Sequence, residues 1–261
     1  MRRLPPLVVL LLVLGLPAAG GAQQPKTSVQ FPPGVPLARQ GFYLYAQNCA
    51  SCHGDRGRGV VPPASQEGPG PTPGMGPSLS GVGAGAADFY LRTGYMPLRE
   101  PTDQPKRSPN FFDEKEIRAL VAYVASLGPG LPIPDPHPEN GSVSEGLSLF
   151  REHCAGCHQI AAQGGYVTGA VPPPLDHSTP VQVAEAVRIG PYVMPKFSER
   201  AISDDELDSL VAYVEYTKNP DDRGGWALGH VGPVPEGMLT WFLAATVLIG
   251  ACVLLGQRLR R

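Results

Sequence analysis

Apolar and polar positions divide the chain into three kinds of segment. After Met1, Arg2 and Arg3, the run Leu4–Leu16 is almost wholly apolar, and the small residues of 17–22 follow it. That order reads as a secretory signal peptide over residues 1–22, cleaved after Gly20 or Ala22, because the apolar run is short for a membrane crossing. An uncleaved N-terminal anchor is the alternative reading. At the other end, Met238–Gly256 is an uncharged run of 19 residues. It makes roughly 28 Å of helix, enough to cross the hydrocarbon core. Trp241 stands near its start, and the basic tail 257–261 (Gln257, Arg258, Leu259, Arg260, Arg261) follows. Basic residues at that end place the tail in the cytoplasm and everything before it outside the membrane.

Between the two apolar ends, helical periodicity is written twice. Gly41-Phe42-Tyr43-Leu44-Tyr45 and Gly146-Leu147-Ser148-Leu149-Phe150 each set a glycine and an aromatic four residues apart. On a helix these share a face, so the glycine permits close backbone approach while the aromatic packs beside it. Each copy then carries Pro-x-Leu (Pro77-Ser78-Leu79; Pro173-Pro174-Leu175) and a Met-Pro pair (Met96-Pro97; Met194-Pro195). Each closes on an acidic helix start leading into Leu-Val-Ala-Tyr-Val, at Leu120–Val124 and Leu210–Val214. Asp113 and Ser203 are the expected N-caps. Strand-like alternation is scarce, so the fold class is mainly α: domains at 37–128 and 142–220, a juxtamembrane segment at 221–237 and a membrane helix at 238–256.

Composition adds that much of the chain is loop, since glycine and proline number 32 and 31 among 261 residues. The prolines of 129–141 alternate, which favours a stiff, extended spacer between the copies. The stretch Val60–Gly76 reads as a surface loop inside the first copy. Charge separates the two halves. Residues 23–128 hold ten basic and eight acidic side chains, a net +2, whereas residues 129–222 hold five and fourteen, a net −9. The acidic excess either steers a basic partner or keeps an exported domain soluble. Asp204, Asp205, Glu206 and Asp208 are the candidate docking carboxylates.

The chemistry lies in Cys49-Ala50-Ser51-Cys52-His53 and Cys154-Ala155-Gly156-Cys157-His158. Cys-x-x-Cys-His is the attachment pattern of c-type haem. Its spacing lets both thiols add across the vinyl groups of one haem while the next imidazole turns onto iron, so two covalently bound haem c groups are expected. Iron needs a sixth ligand, and a thioether opposite histidine is the usual electron-transfer arrangement. Met96 and Met194 stand at matching repeat positions and are the candidates. Met75 is a rival in the first copy only. A shared zinc site would require motifs 105 residues apart to converge, and no βαβ pattern supports a thioredoxin-like pair. His137, His153, His177 and His230 are assigned no ligand role, and Cys252 reads as a small apolar residue in lipid. With both irons ligated by protein, no substrate site, catalytic residue or nucleic-acid partner is expected, and the chemistry is one-electron transfer.

Each repeat resembles a class I cytochrome c domain. The chain from Leu37 onward resembles the dihaem cytochrome c subunit of the actinobacterial-type cytochrome bc complex, most specifically at Gly224–Gly237. The resemblance implies ligation by His53 with Met96 and by His158 with Met194. It also implies packing against cytochrome b and Rieske iron–sulfur subunits, and relay of electrons from menaquinol oxidation to an aa-type cytochrome c oxidase in a supercomplex. Membership of such a quinol–cytochrome c reductase would make the chain part of a respiratory translocase. A dihaem subunit of another quinol or terminal oxidase, or an exported dihaem dehydrogenase or peroxidase, would share the motifs. The last of these would leave one iron without methionine.

Overall fold

A computed structural model describes residues 29–60, 76–99, 103–221 and 233–259. The signal-like segment 1–22, Met75 with the interior of the Val60–Gly76 loop, His230 with most of the juxtamembrane segment, and the last two tail residues lie outside the described residues. In chain order the first repeat contains α1 (Leu37–Asn48), the single turn α2 (Ala50–His53), α3 (Gly83–Arg92) and α4 (Glu114–Ala125). The second contains α5 (Val143–His153), the single turn α6 (Ala155–His158), α7 (Pro180–Ile189) and α8 (Asp204–Lys218). The apolar helix α9 spans Pro233–Leu259.

Local chemistry explains where these helices start. Asp113 accepts from the Lys115 and Glu116 N–H groups while the Glu116 carboxylate returns to the Asp113 N–H, a complete capping box. Ser203 and Glu206 form the same box at α8, as do Thr179 and Gln182 at α7, where Pro180 occupies the first helical turn. Both motif turns are set off from the preceding helix by one break. Cys49 has φ −123° and ψ −30°, and Cys154 has φ −120° and ψ −35°.

In each repeat the first helix packs across the last, α1 on α4 and α5 on α8. Glycine is required at both crossings. A methyl group on Gly41 would overlap the Ala119 carbonyl oxygen, and one on Gly146 would overlap that of Ser209. The aromatic four residues on then meets the tyrosine of the last helix. Tyr45 and Tyr123 lie 5.0 Å apart by ring centroids, and Phe150 and Tyr213 lie 5.2 Å apart. Each crossing is the centre of its own apolar cluster, around Leu44, Ile117 and Leu120 in one repeat and Ile202, Leu210 and Val211 in the other.

Helices α3 and α7 are absent from the sequence reading, which passes from the proline loop straight to the methionine loop. Gly83 and Gly85 are poor helix formers at the start of α3, and tertiary packing overrides them. Gly83 and Gly85 sit where a Cβ would meet the backbone of Leu131 and Pro132, and the Gly85 N–H donates to the Leu131 carbonyl at 2.9 Å. The proline segment is therefore held against the first repeat rather than standing off as a free spacer. Its far end is tied to the second, where the His137 N–H donates to Asp208 Oδ1 at 2.7 Å.

Each of these two helices carries in its last turn an arginine that pins the last helix of its repeat. Arg92 pairs with Asp88 at 2.8 Å and with Glu114 at 2.5 Å. Arg188, itself buried, donates to the Ile202 carbonyl at 2.7 Å and pairs with Asp204 at 2.8 Å. The repeated Arg-x-Gly (Arg92-Thr93-Gly94; Arg188-Ile189-Gly190) is the sequence signal for this pin.

Helices α3 and α7 also pack on each other and so join the repeats. Glu185 lies in that join with no exposed surface, and neither carboxylate oxygen has a hydrogen-bond partner. Burial pushes its carboxyl up to about 8, with the Asp88 charge adding to the rise and Arg92 opposing it.

Candidate cofactor sites

The break at each motif cysteine turns the following histidine toward the Pro-x-Leu loop. His53 Nδ1 lies 2.9 Å from the Pro77 carbonyl oxygen, and His158 Nδ1 lies 3.1 Å from that of Pro173. A carbonyl only accepts, so in both rings Nδ1 carries a proton, and in the neutral imidazole this leaves the lone pair on Nε2. An imidazole fixed in this way is oriented to ligate iron. Burial lowers the His158 imidazole below its ordinary value, against the pull of the Pro173 hydrogen bond, which keeps the ring neutral.

In the second repeat a single cavity brings Cys154, Cys157, His158 and Met194 together, between walls that include Val183, Val187 and Leu210. Met194 follows α7 and its N–H donates to the Pro191 carbonyl at 3.0 Å, which holds the methionine loop closed. In the first repeat the corresponding residues stand at the same element ends. Cys49, Cys52 and His53 lie at the break and on α2. Met96 follows α3, half-buried, with its N–H donating to the Tyr90 carbonyl at 3.0 Å.

Paired thiols, a neutral imidazole with Nε2 free, a thioether and apolar walls are the donor set and lining of haem c. Burial pushes the Cys49 and Cys154 thiols up to about 11, the opposite of an activated thiolate. A thioether carries no charge and suits such burial. Among the described residues no group of three or more His, Cys, Asp or Glu side chains could hold a metal ion, so the two motifs do not converge on zinc. His137 is turned to Glu139 and Asp135, and His177 to Asp176. His153 lines the cavity edge, with its ring 5.5 Å from that of Phe197.

The comparisons with known proteins follow this division of the chain. The cytochrome c model matches residues 38–128, and the model of the cbb3-type cytochrome c oxidase subunit III matches residues 141–214. The cytochrome bc1 complex cytochrome c subunit of Corynebacterium diphtheriae is 34% identical over 242 residues, 85% of this chain and 81% of that protein. The chain belongs to this family. The subunit of the same name from Mycobacterium bovis is also 34% identical, over 95% of this chain and 89% of that protein. The cbb3-type cytochrome c oxidase subunit CcoP of an Azospirillum species is more distant, at 28% identity over 67% of this chain. The fold is thus that of two cytochrome c domains with a helix suited to a membrane. The function is electron transfer in a quinol–cytochrome c reductase, and the domains indicate haem c.

Helix α9 is the candidate membrane span. Residues Gly237–Leu259 have a mean hydropathy of 2.3 and none of that stretch is buried against the rest of the protein. Trp241 is 77% exposed near its start and Arg258 stands in its last turn. The acidic cluster on α8 reads differently once placed. Asp204 pairs with Arg188, Glu206 belongs to the capping box and Asp208 holds the linker. Three of the four candidate docking carboxylates thus also have partners within the protein.

Proposed function

We propose that this family member carries two covalently attached haem c groups, one at Cys49 and Cys52 with axial His53 and Met96, the other at Cys154 and Cys157 with axial His158 and Met194. Haem iron in a histidine–methionine setting supplies reversible one-electron chemistry at a raised potential. The protein's part is to fix both ligands, bury them and keep water and substrates from the metal. The Pro77 and Pro173 carbonyls hold the imidazoles, and the short turns after α3 and α7 hold the thioethers. The observation that carries the reading is the cavity gathering Cys154, Cys157, His158 and Met194.

In this reading α9 anchors the subunit and the basic tail faces the cytoplasm, so both haem domains lie on the extracytoplasmic side of the cell membrane. Residues 1–22 act as the export signal. The subunit takes electrons from the Rieske centre beside cytochrome b and passes them to an aa-type oxidase in a supercomplex, as part of a respiratory translocase. The test is purification in mild detergent with quantitation of haem by its pyridine complex. Two haems per chain are expected, falling to one in Cys52→Ala and one in Cys157→Ala, with cytochrome b and Rieske subunits co-purifying. One haem in the wild type, or bound zinc in its place, overturns the reading.

A further inference from the structure

The cavity of the second repeat is not built by that repeat alone. Phe89, Thr93, Tyr95, Gln104, Pro105 and Arg107 of the first repeat also line it. The reason lies in a length difference between the copies. Asp113 caps α4 17 residues after Met96, whereas Ser203 caps α8 only 9 residues after Met194. The longer connection carries Gln104, Pro105 and Arg107 across to the neighbouring repeat. There Arg107 Nη2 donates to Gln182 Oε1 at 2.6 Å and to Ser178 Oγ at 3.4 Å. The Arg107 charge also acts on Tyr95, opposing the upward push of burial on that phenol.

Charge makes this crossing informative. Among the described residues lining the cavity, Arg107 is the one lysine or arginine. The second repeat is strongly acidic and brings none of its own to the pocket. A haem brings two propionate carboxylates, which in an apolar pocket call for a cation and hydrogen-bond donors. The guanidinium is always charged and its planar fork matches a carboxylate. Its hydrogen bonds to the second repeat run through Nη2, and the guanidinium carries further donors on Nε and Nη1.

We propose that Arg107 of the first repeat binds a propionate carboxylate of the haem held by the second repeat, so that one domain completes the cofactor site of the other. The proposal rests on ligation of that haem by His158 and Met194. A cation beside the haem favours the reduced iron, which carries one positive charge fewer, so Arg107 raises the potential of the second haem and not of the first.

The test is optical potentiometry on the full-length detergent-purified protein with both haems. Met194→His assigns the second haem by moving its wave. Arg107→Gln should lower the wave so assigned and leave the other in place, and Arg107→Lys, which keeps the charge, should recover most of the shift. Both waves unmoved by Arg107→Gln, or a shift confined to the first haem, overturns the proposal. If Arg107→Gln loses haem, loss of the second alone with retention in Arg107→Lys supports it, and loss of the first overturns it. If Met194→His moves neither wave, the ligation itself is wrong and the Arg107 assignment falls with it.

Discussion

In the first repeat the Tyr45 hydroxyl, on α1, donates to the Gly54 carbonyl just past the haem motif at 2.8 Å. In the second repeat that helix position is Phe150, and Tyr213 on the last helix reaches the Ile160 carbonyl at 2.5 Å instead. The hydroxyl has changed helices while its task, holding the loop after the motif, has stayed. By contrast the glycine at the helix crossing, the break at the first cysteine and the histidine-to-carbonyl bond are alike in both repeats. What the duplicated domain keeps is backbone geometry and ligand orientation. A donor can come from either helix, and the loop after the methionine is free to lengthen and meet the other repeat.

The largest effects should come where the repeats are alike. Gly41→Ala and Gly146→Ala each force a methyl group into a backbone carbonyl that belongs to a packed helix, where neither side can yield. Each should cost about 3 kcal/mol or more and lose the haem of its own repeat, read by thermal unfolding and by haem content. If one substitution proves harmless, the two crossings are not equivalent.

The arginine pins differ in which partner is buried. In the first repeat the Asp88 side chain is 6% exposed, so Arg92→Ala strands a buried carboxylate and should cost about 3 kcal/mol. In the second the arginine is buried and its Asp204 partner is exposed. Arg188→Ala there removes a donor from the buried Ile202 carbonyl and should cost about 2 kcal/mol. Denaturant unfolding of both variants gives the order directly, and a reversed order would break this account of the difference.

Local signals made part of this legible from residues alone. Gly41 and Gly146 declare the crossing because each stands a helical turn from an aromatic, and Asp113 and Ser203 declare their helices by capping chemistry contained within four residues. The motif residues and both methionines announce themselves by recurrence. Helix α3 does not, because Gly83 and Gly85 are poor helix formers and are chosen for contact with the linker backbone. Arg107 does not, because only the folded course of its loop takes it to another domain. The local partners of the acidic run at Asp204 are not legible either, because charge count does not reveal them.

Glu185 offers a finer probe, since it belongs to the join and does not line the cavity of the second repeat. Burial pushes its folded carboxyl up to about 8, from an ordinary value of 4.5 in the unfolded chain. Below pH 4.5 both states hold the proton and burial of the neutral acid has no linkage cost. As pH rises from 4.5 toward 8 the unfolded chain releases the proton first, so stability falls across that window, and above 8 the folded state is ionised as well. Glu185→Gln fixes a neutral group beside Asp88 and Arg92. It should change stability by less than about 1 kcal/mol at pH 5 and raise it increasingly as the pH climbs toward 8. Equal stability of the two proteins across the range would place Glu185 outside the titrating join.

The smallest effects should track the hydroxyl that changed helices. Tyr123 occupies the position of Tyr213 but its buried hydroxyl has no partner, because Tyr45 already serves the loop. Tyr123→Phe should therefore be neutral or stabilising by up to about 1 kcal/mol, whereas Tyr45→Phe and Tyr213→Phe should each cost about 1 kcal/mol. The decisive variant transplants the first arrangement into the second repeat. Phe150→Tyr in a Tyr213→Phe background offers the loop a hydroxyl from the first helix, and thermal unfolding should show recovery of most of the loss. A double variant no better than Tyr213→Phe alone would mean that the loop after the second motif accepts a donor from the last helix only, and the repeats would then differ in backbone course as well as in side chains.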